Sequence, residues 1–187
     1  MRHLPNLITA FRLLLTALLA ILLMFDQKPG LAFLCCLLFS IAAATDWVDG
    51  YLARRFKAVT TLGKLMDPLA DKLLVATALI MLIPLGRLPA WVALVILARE
   101  MMVTGLRGIA SASGIVVAAS GLGKIKSTLQ YIGLGTLIFP LGLLPIPYLH
   151  RIGLGVVYVA LVLTVWSGLD YFYKLRQVFF VEERGQA

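Results

Sequence analysis

Asp46, Asp49, Asp67 and Asp71 lie within one short stretch, DWVDGYLARRFKAVTTLGKLMDPLAD, of a chain that is otherwise strongly apolar. Carboxylates grouped in this way can do two kinds of chemistry. They hold hard divalent cations through oxygen, and one of them can take a proton from a nucleophile. Either task needs the four to converge. On helices turning about 100° per residue, Asp46, Asp49, Gly50 and Ala53 fall within roughly one 100° arc, and Gly63, Asp67 and Asp71 line a second stripe. Gly50 and Ala53 keep the first arc free of bulk, which suits either the close approach of a ligand or close packing of a neighbouring helix.

The surroundings make such convergence costly. Of the 187 residues, 61% are hydrophobic and only 14% charged, with a mean hydropathy of +0.96, outside the range of a soluble domain. In a membrane helix each central acid costs about 2.5–3.5 kcal/mol even on insertion scales, and four like charges repel strongly at low dielectric. A salt bridge to Arg54 or Lys72, or an interfacial cap, would serve one or two of the acids. A divalent cation bridged by carboxylates offsets the charge more completely. Four carboxylates are also more than one Mg²⁺ usually takes, so two ions are expected.

The elements that must position these residues follow from the apolar runs. Six are long enough, or nearly so, to cross about 30 Å of hydrocarbon: 4–25, closed by DQKPG; 31–56; 62–85, ending at PLGRLP; 90–112; 124–144, followed by PIPYLH; and 151–178, with a short polar tail, EERGQA. Lipid-exposed backbone must satisfy its own hydrogen bonds, and no alternating strands are visible, so the runs read as helices. The expected fold is all-α: a polytopic membrane protein of six transmembrane helices forming one domain, 1–187. Its N-terminal start is amphipathic, with Pro5 opening a helix and Asn6, Thr9 and Arg12 forming a polar stripe. Arg12 interrupts the first run and no small-x-small cleavage pattern precedes FDQKPG, so this segment is expected to stay in the mature protein.

With both termini on one side, Arg2, Arg54, Arg55, Lys57, Lys64, Arg107, Lys124, Lys126, Lys174, Arg176 and Arg184 share that side, against Lys28, Arg87 and Arg151 on the other. The positive-inside rule then places both termini in the cytoplasm. The same excess, within a net charge of +8, attracts anionic headgroups and phosphorylated substrates. Nucleic acid is a poor partner, because the basic residues flank membrane spans rather than forming a soluble module. Arg99 and Arg107 fall within roughly 80° on the fourth helix, and Lys124 and Lys126 stand at the cytoplasmic start of the fifth. Together they could form a phosphate pocket, the structural alternative for Arg99 being Glu100 or a carbonyl. GLGK, residues 121–124, resembles a fragment of a phosphate-binding loop but follows no strand. Cys35 and Cys36, adjacent in mid-span, read as packing residues. A divalent-cation transporter would also bury acids, but LAFLCCLLFS and LLVATALIMLI, in the outer halves of the same helices, continue no polar track.

The spacing itself resembles the signature of the CDP-alcohol phosphotransferase family. Asp46 is followed after two residues by Asp49 and Gly50, after two more by Ala53 and Arg54, and after eight by Gly63, with Asp67 and Asp71 at further intervals of three. The six-helix layout shares the resemblance. It implies transfer of a substituted phosphate from a CDP-linked donor to an alcohol with release of CMP, in the inner (cytoplasmic) membrane with the active site facing the cytoplasm. It further implies that Asp46, Asp49, Asp67 and Asp71 ligate two Mg²⁺ or Mn²⁺ ions, that Asp71 is also the general base, and that Asp49, Gly50, Ala53, Arg54, Gly63 and Asn6 surround the CDP group. A homodimer is implied as well. LPNLITAFRLLL, LMDPLADKLLV, AREMMVTGLR and GKIKSTLQ resemble the branch that uses CDP-diacylglycerol and glycerol 3-phosphate. A phosphorylated acceptor accounts for Arg99, Arg107, Lys124 and Lys126, while inositol phosphate and serine stay open as acceptors.

Overall fold

Among the described residues every regular element is a helix. In chain order these are α1 (Leu4–Leu23), α2 (Pro29–Phe56), α3 (Thr61–Leu82), α4 (Ala90–Ala112), α5 (Gly121–Ile138) and α6 (Leu149–Gly185). The computed structural model describes residues 4–56, 61–112, 121–140, 143, 146 and 148–185. The side chains of 4–6, 46–56, 61–68, 71, 112, 121, 122, 124 and 177–185 lie outside the described set. The all-α, six-helix expectation matches this arrangement.

Helix ends differ from the apolar runs where local chemistry decides them. α2 begins at Pro29 rather than at Leu31, because proline lacks the N–H that a first turn leaves unused. α1 stops at Leu23, and the Gln27 side-chain amide donates to the carbonyls of Leu22 (3.1 Å) and Phe25 (2.7 Å). α3 stops at Leu82. There Gly86, at φ +66°, turns the chain so that its own N–H reaches Ile83 O and that of Arg87 reaches Leu82 O. α5 ends at Ile138, six residues short of the apolar run: Pro140 follows. α6 continues through EERG instead of ending in a polar tail, since glutamate and arginine are good helix formers and no breaker precedes Gly185. At 37 residues it is about 55 Å long, well beyond a bilayer's hydrocarbon core. GLGK is the first turn of α5, not a loop.

The surface carries many large apolar side chains. Leu94 (68% exposed), Met101 (75%) and Trp166 (65%) stand outward on α4 and α6, with Leu14 and Phe172 equally bare. Water would penalise so much contiguous apolar area. Among the described residues, Leu149–Arg176 is by itself long and apolar enough to cross a membrane, with mean hydropathy 2.1, and Leu7–Leu23, Pro29–Thr45 and Lys72–Leu82 are shorter apolar stretches. The architecture is consistent with a polytopic membrane protein.

Inside, α3 touches α1, α2, α4 and α5, and α5 packs most extensively on α6. The core joins Leu19 and Leu23 of α1, Phe39 of α2, Leu74 and Leu79 of α3, Ile96 of α4, and Leu134 and Leu137 of α5. Cys35 is buried in that core, and the half-buried Cys36 thiol faces the Gly135 carbonyl at 3.6 Å. At one end of the bundle Arg87 Nη1 donates to the carbonyls of Leu137 (2.9 Å) and Ile138 (3.2 Å), and His150 Nε2 donates to Phe139 O at 2.9 Å. These are the carbonyls α5 leaves unmatched at its C-terminus. The opposite end carries the motif residues.

Candidate functional site

The acidic motif stands on two helices in contact. Asp46, Asp49, Gly50, Ala53 and Arg54 occupy the last turns of α2, and Gly63, Asp67 and Asp71 the first turns of α3. The backbone is helical through both groups, which is the condition for each to form a stripe. The side chains of all eight lie outside the described residues, as does that of Asn6 on α1.

α1 brings a cation to the same level. Thr9, Arg12 and Thr16 are buried, Arg12 completely. Arg12 Nε donates to Thr45 Oγ1 at 3.4 Å, and the Thr45 hydroxyl donates to Ala42 O at 2.7 Å. Thr16 in turn donates to Arg12 O at 2.8 Å. Thr45 is the residue before Asp46. The polar stripe read as an amphipathic start therefore turns into the bundle at Thr9 and Arg12, because a guanidinium here finds polar partners on α2 that lipid would not offer.

The basic residues of α4 and α5 divide. Glu100 Oε1 accepts from Arg99 Nη1 at 3.1 Å and also from Lys126 Nζ, so one carboxylate on α4 joins its neighbour to α5. Arg99 Nη2 donates to Ser167 Oγ on α6 at 2.8 Å. One turn deeper, Gln130 donates to Thr164 Oγ1 at 3.3 Å, so the polar seam between α5 and α6 continues inward. Lys72 of α3, the residue after Asp71, lies within electrostatic reach of Lys126. Arg107, by contrast, sits over the Tyr171 ring, 5.7 Å from its centroid. Lys124 lies at the start of α5 with its side chain outside the described set.

Arg99 and Lys126 thus meet through Glu100, the partner that the structural alternative had named for Arg99. Among the described residues the cluster holds two cations against one carboxylate, all three largely buried. Such an excess of positive charge draws an anion, and a guanidinium suits phosphate in particular. Sequence reasoning missed Ser167 and Gly168 altogether. A serine and glycine within an apolar helix carry no signal until α4 is seen to lie against them.

Residues 2–166 match the sequence profile described as CDP-alcohol phosphatidyltransferase, and this chain belongs to that family of enzymes. Among curated relatives, the CDP-diacylglycerol--glycerol-3-phosphate 3-phosphatidyltransferase of Bacillus subtilis (strain 168) is 42% identical, over 93% of this chain and 95% of the relative. Proteins of the same name from Rickettsia typhi (37% identical; 96% of this chain, 100% of the relative) and Sodalis glossinidius (38%; 95% and 97%) align at comparable length.

Proposed function

We propose that this chain transfers the phosphatidyl group of CDP-diacylglycerol to glycerol 3-phosphate, giving phosphatidylglycerophosphate and CMP. The observation that carries the reading is the near full-length likeness to relatives bearing that named activity. The Arg99–Glu100–Lys126 cluster supports it, because an acceptor that is itself a phosphate needs a buried positive site.

Asp46, Asp49, Asp67 and Asp71 hold two Mg²⁺ or Mn²⁺ ions in this reading. The donor set fits: four carboxylates on two touching helices offer oxygen ligands alone, the preference of hard divalent cations. Bound there, the ions would offset charge on the diphosphate and on the departing CMP. Gly50 and Ala53 leave room for the nucleotide on α2, and Arg54, Gly63 and Asn6 complete its surroundings. Asp71 takes the proton from the acceptor hydroxyl as that oxygen bonds to phosphorus and the bond to the CMP oxygen breaks. Arg99 and Lys126 hold the acceptor's phosphate, with Lys124 and Arg107 in outer positions of the same basic surface. The chain works as one domain of six transmembrane spans and as a homodimer in the inner membrane. Both termini and the site face the cytoplasm, where the soluble acceptor is found.

The test is turnover of CDP-diacylglycerol by purified protein with glycerol 3-phosphate, glycerol, serine or inositol phosphate in parallel, each with and without chelator. Product is expected with glycerol 3-phosphate and is lost on metal removal. Arg99→Ala or Lys126→Ala should raise the KM for glycerol 3-phosphate on the order of tenfold to a hundredfold and leave that for CDP-diacylglycerol nearly unchanged. Equal use of the other acceptors by the wild type would sink the named product.

A further inference from the structure

We propose that Ser167 and Gly168 of α6 are positioning residues that seat Arg99 for the acceptor's phosphate, an inference that rests on the reading just given. The seat has three sides. The Ser167 hydroxyl has a single proton, which goes to the Thr164 carbonyl at 3.1 Å, so its oxygen is left to accept from Arg99 Nη2 at 2.8 Å. The next residue supplies space. A Cβ on Gly168 would stand 3.1 Å from both Cγ and Nε of Arg99, and 3.7 Å from Cδ, so the arginine stem lies against α6 where only glycine admits it at ordinary contact distance. Glu100 on α4 takes Nη1 on the third side.

Two features separate this seat from an ordinary structural ion pair. Arg99 Nε is buried with no acceptor among the described residues, whereas buried charged donors that serve packing alone are matched. Glu100 is also shared with Lys126, so among the described residues the two cations have one carboxylate between them in a largely buried place. Held on α6, the guanidinium keeps one orientation. Freed from it, a long side chain would have to be ordered each time the phosphate bound, and affinity for the acceptor would fall. The contribution therefore belongs in acceptor binding, not in donor binding or in the chemical step.

The experiment uses the purified full chain and its variants Ser167→Ala, Gly168→Ala and Ser167→Thr, with inorganic phosphate as a competing probe. Ser167→Ala and Gly168→Ala should each raise the KM for glycerol 3-phosphate by roughly tenfold. The Ki of inorganic phosphate should rise in parallel, while the KM for CDP-diacylglycerol and kcat at saturation hold. Ser167→Thr, which restores the hydroxyl, should return the acceptor KM to about the wild-type value. If both KM values move together, or if only kcat and melting temperature fall, α6 is merely supporting the bundle and the inference is overturned. It is also overturned, with the phosphate pocket intact, if Arg99→Ala raises the acceptor KM and Ser167→Ala does not. A wild type that accepts glycerol as readily as glycerol 3-phosphate, and ignores inorganic phosphate, removes the pocket itself. Should Gly168→Ala fail to fold, Ser167→Ala decides alone, because it deletes a single hydroxyl.

Discussion

Among the described glycines the closest approach to a neighbouring helix lies between α5 and α6, and it predicts a pair of glycine variants with opposite outcomes. A Cβ on Gly133 would stand 2.7 Å from Val157 Cγ2, 3.1 Å from Val157 N and 3.2 Å from Gly153 O. The valine cannot simply turn aside: it is 1% exposed, and a β-branched side chain in a helix has essentially one favoured χ1. The other two atoms are backbone, so the helices themselves must part. Overpacking of this kind costs about 1–3 kcal/mol, against up to about 1 kcal/mol regained by exchanging glycine for alanine inside a helix. Gly155 is the control. It lies on α6, exposed, with nothing within 4 Å of its would-be Cβ, and Gly155→Ala therefore keeps the propensity gain without the clash.

The gap between the two variants isolates the packing cost. For a chain of this size it corresponds to a difference in apparent melting temperature of roughly 2–12 °C, Gly133→Ala below Gly155→Ala, measured by thermal unfolding in one detergent at one scan rate. The double variant Gly133→Ala, Val157→Ala should recover only part of the loss, since the two backbone contacts persist. Gly133→Ala should also weaken acceptor binding, because α5 carries Lys126 and α6 carries Ser167. A Gly133→Ala protein that melts with or above Gly155→Ala would refute the claim that close backbone approach at this crossing holds α5 to α6.

Three further outcomes are expected. Asp46→Asn, Asp49→Asn and Asp67→Asn should each lower turnover and raise the metal concentration needed for it, read from metal titrations of activity; near-normal turnover at low metal removes that residue from the ligand set. Asp71→Asn should keep CDP-diacylglycerol binding, measured by equilibrium binding of labelled donor, while losing the chemical step, because asparagine keeps the shape but cannot take the proton; donor binding lost in proportion to rate would assign it to ligation instead. Arg87→Ala should lower stability by about 1–3 kcal/mol, the cost of leaving the Leu137 and Ile138 carbonyls unmatched. Its KM for both substrates should stay put, since Arg87 lies at the end of the bundle away from the motif.

How much of this is legible in sequence depends on whether a feature is local. The acidic stripes are local: Asp46, Asp49 and Gly50 share a face because of helical pitch alone, and α2 and α3 need only be helices, which their apolar flanks ensure. The end of α5 is not local in the same way. Pro140 gives a hint, but the carbonyls of Leu137 and Ile138 are matched by Arg87, fifty residues earlier, and nothing near either segment announces the pairing. The basic cluster shows the limit most clearly. Arg99 and Arg107 do share a face of α4, yet eight residues of helix separate them by about 12 Å, too far for one phosphate. Periodicity reports azimuth and says little about depth. Arg107 therefore goes to Tyr171, while Arg99 finds Lys126 through its own sequence neighbour Glu100.

The two ends of the bundle are consequently held by different kinds of interaction, and the difference bears on function. At the far end Gln27, Arg87 and His150 bond backbone carbonyls, partners that no substrate replaces. At the motif end Arg99 and Lys126 bond a side-chain carboxylate, a partner that a phosphate can rival on equal chemical terms. Opening the far end would leave carbonyls unmatched, at a cost of several kcal/mol each where lipid surrounds them; at the motif end Arg99 keeps Ser167 and Glu100 while its Nε, buried with no acceptor among the described residues, is left for an anion. Under the proposed function, with a donor dissolved in the membrane and an acceptor dissolved in water, that asymmetry suits the site. The far end is thus closed on its own backbone, whereas the motif end holds Arg99 and Lys126 on side chains with one guanidinium nitrogen still open.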